Sequence, residues 1–175
     1  MAITKIVDQK YYRESDVKNL IDYAIDDKKT HGLIGGMGVN PCNPDKMAYQ
    51  MVAVKRGFEK NKEHRQIRHI IVSFDQAEQI TPPTAYCIAY EIAQFYGDEY
   101  QICFGVHQDT DDLHIHFIQN TVNYVTGRLF SNAPWELGKL KNYVNQVVLR
   151  YTHNEAAQFL YFLEEQPIAE RGAGA

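Results

Sequence analysis

Residues 2 to 8, AITKIVD, alternate apolar and polar positions and predict a first strand. Ser15 then caps a helix ending near Asp27, with Val17, Leu20, Ile21 and Ala24 on one stripe. Tyr23 falls outside that stripe. At roughly 100° per residue it sits about 120° from the stripe's centre, so the helix turns this phenol away from the core. THGLIGGMGVN, residues 30 to 40, is a glycine-rich connection with room for one short strand, and it lacks the spacing and trailing Lys-Ser/Thr of a phosphate loop. Asn43-Pro44 opens a second helix through about Phe58, with Met47, Ala48, Met51 and Val52 on one face. IRHIIVSF, residues 67 to 74, is a β-branched strand whose apolar run predicts burial on most of both faces. Thr81 and Pro82 start a third helix that Gly97 closes. QICFGVH and LHIHFIQN form two strands joined by the Asp-rich turn of residues 108 to 112, and residues 124 to 130 form a turn leading to a further short strand. From Asn132, with Pro134 just inside, a long helix runs to about Tyr151. This order is not a regular alternation, so the expected class is α+β, a largely antiparallel sheet with helices packed on it.

Composition adds limits to that outline. With 175 residues, 45% apolar and 12% aromatic, the chain can build one domain, expected over residues 1–160, with 161–175 as a flexible C-terminal tail. No run reaches signal-peptide or membrane-spanning length, which leads to the expectation of a soluble, cytoplasmic protein. Cys42, Cys87 and Cys103 are odd in number and lack CxxC spacing, so reduced, buried thiols are expected rather than a disulfide framework or thiolate metal site. The net charge of −4 conceals an asymmetry. Lys55, Arg56, Lys60, Lys62, Arg65 and Arg68 cluster in one segment, whereas residues 75 to 112 hold acids and no Lys or Arg. Such a basic run is ordinarily a solvated surface, yet it is also what contact with DNA phosphates requires.

The chemistry concentrates in HQDTDDLHIHFIQN, residues 107 to 120. Alternation along a strand points His114 and His116 one way and Leu113, Ile115 and Phe117 the other. If the preceding strand pairs through the turn, His107 joins them on the same face. Three neutral imidazoles on rigid strands make a metal site that preserves the ion's full charge and leaves positions open for substrate. Asp109 and Asp111 read either as turn formers or as acceptors of a ligating histidine's second N–H. His69, with Ser73 on its strand face, is a possible supporting residue.

The pattern His107-x-Asp109-x4-His114-x-His116-x3-Asn120, followed by Val122-Asn123 and Thr126-Gly127, resembles the third motif of conjugative relaxases of the mobilisation-nuclease (MobA/MobL, MobP-like) group, which are HUH endonucleases. AITKI, LIDYAIDDKKT and HIIVSF before a Thr-Pro-initiated helix resemble the same family's N-terminal half, so the likeness covers about residues 1 to 132. It implies an HUH/RRM-like palm and a histidine-held divalent ion, Mn or Mg in function, with Zn or Ni also able to bind. It implies Tyr23 as nucleophile, Asp109 as base or orienter, and Asn120 as a supporting residue. The reaction implied is strand-specific nicking of single-stranded DNA at an origin of transfer, leaving a 5′-phosphotyrosine. The setting is mobilisation of a plasmid or conjugative element in the bacterial cytoplasm, with accessory relaxosome proteins as partners.

Three other readings remain at this level. Replication initiators and related transposases of the HUH class carry the nucleophile after the histidines, which here would be Tyr143, although KNYVNQV lacks the lysine expected beyond it. Tyr11 and Tyr12 are lesser candidates. LHIHFI also resembles part of the histidine-triad motif of nucleotide hydrolases, with Asp112 where its first histidine belongs. A non-catalytic DNA-binding module is the third. The chain's acidity is its main departure from a general DNA binder.

Overall fold

The computed structural model describes residues 2–153. Five strands form one sheet: β1 (Ile3–Ile6), β2 (Ile34–Met37), β3 (Ile67–Ser73), β4 (Tyr100–His107) and β5 (His114–Asn123). Their order is β1-β3-β5-β4-β2, and every neighbouring pair is antiparallel, as expected. The helices are α1 (Glu14–Ala24), α2 (Asp27–Thr30), α3 (Pro44–Gly57), α4 (Pro82–Gly97) and α5 (Pro134–His153). The tail expected from residue 161 lies outside the described residues.

Strand alternation divides the core in two. Ile70, Val72, Phe104, Val106, Ile115 and Phe117 face α4 and α5, where Ile88, Ile92, Leu140, Val144 and Val147 meet them. Ile67, Cys103 and Ile118 face the other way, against Val17 and Ile21 of α1 and Met47 and Met51 of α3. Each fully buried Ile, Phe or Met contributes about 1.5–3 kcal/mol relative to exposure, so both helical layers are firmly held. The histidine-bearing positions of β4 and β5 lie on the α1/α3 face, because His107 pairs with His114 and Gly105 with His116 across the hairpin.

Local chemistry explains the helix ends. Asn43 accepts from the Lys46 N–H and Thr81 from the Thr84 N–H, with proline in each first turn, as the sequence predicts. The first helix departs from expectation. Arg13 occupies the cap position, its N–H donating to Asp16 at 2.9 Å, and Ser15 lies inside the first turn. The helix also stops at Ala24, because the Asp26 carboxylate accepts from the Lys28 N–H and caps the separate turn α2. Beyond Tyr124 the expected short strand is reduced to a single bridge between Val122 and Leu129. Of the thiols expected to be buried, Cys103 is so and Cys42 is exposed.

Candidate active site

Gly105 sets the position of α1 on the sheet. A Cβ there would run into the carbonyl oxygen of Ala24 and lie 2.9 Å from Thr30 Cγ2. Its absence lets the C-terminal end of α1 settle directly on β4, beside the histidines. Tyr23, 45% exposed, is thereby set against the imidazoles, its ring centroid 5.6 Å from that of His107 and 5.3 Å from that of His116.

His107, His114 and His116 each offer one ring nitrogen, and these three atoms lie within 4.8 Å of one another. The nitrogens that can ligate follow from where the other ones are engaged. His107 Nε2 is 2.9 Å from the Ala24 carbonyl oxygen, which can only accept, so the proton of the neutral ring is on Nε2 and Nδ1 carries a lone pair. His114 Nδ1 is 2.9 Å from the Asp112 carbonyl oxygen, leaving Nε2 free by the same logic. His116 Nδ1 lies 2.7 Å from His69 Nε2, and His69 Nδ1 lies 3.4 Å from the Tyr11 hydroxyl. Among the described residues, His107 Nδ1 and His116 Nε2 are buried without a hydrogen-bond partner. An unpaired buried acceptor is costly, and two aimed at one place beside a third imidazole suit a divalent cation. Burial lowers the pKa of all three rings it encloses: His107 downward, His69 to about 4, and His116 further still with its imidazole neighbours adding to the effect. They are neutral near pH 7, the form a metal requires.

Charge around the seat is mixed. Asp109 Oδ1 is 3.8 Å from His107 Nδ1, and its Oδ2 is 4.0 Å from Lys29 Nζ. The same Nζ stands 4.0 Å from the centroid of the Tyr23 ring. Lys29 is fixed from behind, since its carbonyl accepts from the Gln108 N–H at 2.9 Å.

Comparison with known proteins bears on this arrangement. Residues 23–153 match the family model for the relaxase MobA/VirD2-like nuclease domain, three quarters of the chain. The chain belongs to that family. Relatives include the protein Rlx of Staphylococcus aureus, 23% identical over 109 residues, 59% of this chain and 32% of that protein. Protein TraI of Escherichia coli is 29% identical over 124 residues, 69% of this chain and 17% of TraI. The group II intron-interrupted relaxase LtrB of Lactococcus lactis subsp. cremoris is 35% identical over 63 residues, 35% of this chain and 11% of that protein. The chain thus spans less than a third of the length of these curated relatives.

Within this relaxase nuclease domain, the sequence-predicted residues divide into those brought together and those kept apart. His107, His114, His116, Tyr23, His69 and Asp109 gather at one end of the sheet. Asp111 does not join them: among the described residues its side chain contacts no histidine, and the second ring nitrogens are engaged by Ala24, Asp112 and His69. For the same reason Asp109 fixes no histidine tautomer, and it faces the ligating side of His107 instead. Asn120 sits lower on the same face, where Lys55 Nζ and the Val122 N–H donate to its Oδ1 while its Nδ2 donates to Gln101 at 2.8 Å and Met51 at 3.2 Å. It locks α3 to the sheet and supports the site only at a distance.

The basic segment is also divided. Lys55 and Arg68 are buried, contrary to the expectation of phosphate contacts. Lys55 is turned inward by the register of α3 over Asn120, and burial lowers its pKa to about 7. Arg68 donates to Tyr96 at 2.9 Å and Gln119 at 3.2 Å and stacks 4.5 Å from the Phe130 ring centroid. Arg56 is held by Glu14 at 2.6 Å and Arg65 by Asp8 at 3.4 Å, both near the surface. Tyr143 sits on the α4/α5 side of the sheet and donates to the Glu91 carbonyl at 3.0 Å. Sequence reasoning missed Lys29 and the two orienting carbonyls. Lys29 follows the end of α1 and shares no helical face with Tyr23, while a carbonyl's role carries no residue signature.

Proposed function

We propose that this domain nicks one strand of DNA at an origin of transfer by transesterification on Tyr23, in mobilisation of a plasmid or conjugative element. The observation that carries the reading is the exposed Tyr23 ring packed against His107 and His116, whose buried nitrogens are otherwise unpartnered. His107 through Nδ1, with His114 and His116 through Nε2, would hold the ion, Mn or Mg in function and Zn or Ni as alternatives. When bound, it supplies positive charge for the scissile phosphate's non-bridging oxygens and favours ionisation of a nearby phenol.

The chain's own residues supply the remainder. The Tyr23 oxygen attacks phosphorus, the P–O3′ bond breaks, and the departing 3′ oxygen takes up a proton to leave a free 3′-OH. The 5′ phosphate remains on Tyr23 as a diester, so the linkage energy is conserved for rejoining. A phenol with pKa near 10 is ionised about one part in a thousand at neutral pH, so its proton needs an acceptor, a role assigned to Asp109. Lys29, beside both the ring and Asp109, steadies the negative charge that develops there. His69 orients His116, and the carbonyls of Ala24 and Asp112 orient His107 and His114. Lys60, Lys62, Arg56 and Arg65 remain the cations for single-stranded DNA, with accessory relaxosome proteins as further partners in a bacterial cytoplasm. No helix among the described residues is long and apolar enough to cross a membrane.

The initiator-like reading with Tyr143 is not favoured, since that hydroxyl is engaged on the opposite side of the sheet. The test is a denaturing gel of protein incubated with Mn and a labelled single strand spanning the origin of transfer. A covalent adduct is expected from the native protein, and none after chelation or in Tyr23→Phe. An adduct that persists in Tyr23→Phe would overturn the assignment.

A further inference from the structure

Residues 9 to 13 run beside β3, with the Gln66 N–H donating to the Tyr11 carbonyl at 2.6 Å. Two adjacent tyrosines on this segment face differently. Tyr11 reaches inward to His69, 3.4 Å away, and so backs the histidine cluster. Tyr12 is 49% exposed, and its side chain has no hydrogen-bond, ionic or ring partner among the described residues.

Around Tyr12 lies an open concavity of about 560 Å³, rimmed by Arg13, Glu14, Arg56, Lys62 and Glu63. Its acids are partly spent. Glu14 accepts from Arg56 at 2.9 and 2.6 Å and from Asn61 at 3.1 Å, and these contacts hold its pKa below the ordinary carboxylate range. Arg13 and Lys62 make no ion pair through their side chains among the described residues, although the Lys62 charge adds to the lowering at Glu14. An unpartnered aromatic ring beside cations outside any close ion pair is the pairing that takes up unpaired nucleotides: the ring stacks on a base and the cations meet the flanking phosphates. Tyr12 follows directly on Tyr11, whose hydroxyl lies 3.4 Å from His69 Nδ1, so the segment that carries the exposed ring is anchored beside the histidine cluster.

We propose that Tyr12 is a base-stacking platform for single-stranded DNA, with Arg13 and Lys62 contacting the phosphates on either side of the stacked nucleotide. The identity of the ligand rests on the strand-cutting reading above; the platform itself requires no cleavage.

The experiment measures binding of a short fluorescent oligothymidylate by anisotropy at two salt concentrations, together with photo-crosslinking of its 5-bromodeoxyuridine counterpart and peptide mapping. Tyr12→Ala is expected to weaken binding about tenfold with little change in salt dependence, and Tyr12→Phe to bind as the native protein does. Lys62→Ala is expected to weaken binding and flatten the salt dependence. The crosslink is expected on Tyr12. Native affinity in Tyr12→Ala, or bound oligonucleotide crosslinked only elsewhere, would overturn the proposal. If the native protein stacks the oligothymidylate on Tyr12 yet forms no Tyr23 adduct with the strand spanning the origin of transfer, the strand-cutting reading alone fails; if it forms that adduct and Tyr12→Ala binds normally, this inference alone fails.

Discussion

The proton on His107 is placed by a backbone carbonyl, and that choice decides which nitrogen faces the ion seat. The spacing of His107, His114 and His116 made the cluster legible, since period-two alternation and a short turn leave them little choice of face. Their ligating nitrogens were not legible, because they depend on what Ala24, Asp112 and His69 present from other elements. Lys55 and Arg68 misled for a related reason: a basic residue near a helix end or on a strand reads as solvated until the register across the sheet is known. Lys55 yields a pH prediction. Its folded pKa, about 7, lies below the ordinary value of 10.5, so the unfolded chain binds the extra proton between those limits and stability rises with pH across that window. Each unit by which the pKa is lowered corresponds to about 1.4 kcal/mol, which makes charged Lys55 a burden on the order of a few kcal/mol below pH 7. Chemical denaturation should find Lys55→Met more stable than the native protein by roughly 2 kcal/mol near pH 6, with the difference vanishing toward pH 10. Lys29→Ala tests the lysine that the sequence did not reveal. It is expected to slow adduct formation by about tenfold or more with metal affinity unchanged, measured by single-turnover kinetics and metal titration.

At the scale of elements, the order of strands and helices was readable from alternation, caps and the Thr81-Pro82 and Asn43-Pro44 starts. The division of the first helix was not, because Asp26 resembles any acid near a helix end until its carboxylate is seen to accept from Lys28. Nor did Gly105 signal that it admits α1 to the sheet, since a glycine within a strand is compatible with several roles. Gly105→Ala should force Ala24 and Thr30 outward and disturb both the His107 bond and the Tyr23 ring contacts. The expected outcome is a loss of about 1–3 kcal/mol in denaturant unfolding, accompanied by a much larger fall in adduct formation. Adduct formation that stays native while stability drops would show that the seating of α1 is not what presents Tyr23.

Across the whole molecule, the sheet separates two tyrosine-bearing sides. Tyr23 lies with the histidines, whereas Tyr143 lies beyond two layers of packed side chains, on α5. Tyr143→Phe is therefore expected to leave adduct formation unchanged, apart from any effect of losing its bond to Glu91. The sequence pattern supported an α+β fold with a largely antiparallel sheet but held no measure of which face α5 would cover, since that follows from apolar positions on α4 and α5 meeting Phe104 and Phe117. All of these placements meet at the ion seat. Anomalous scattering from crystals of the protein grown with Mn tests it most directly. A single peak bonded to His107 Nδ1, His114 Nε2 and His116 Nε2 beside Tyr23 is the predicted result; a peak elsewhere, or none at these three nitrogens, would contradict the account.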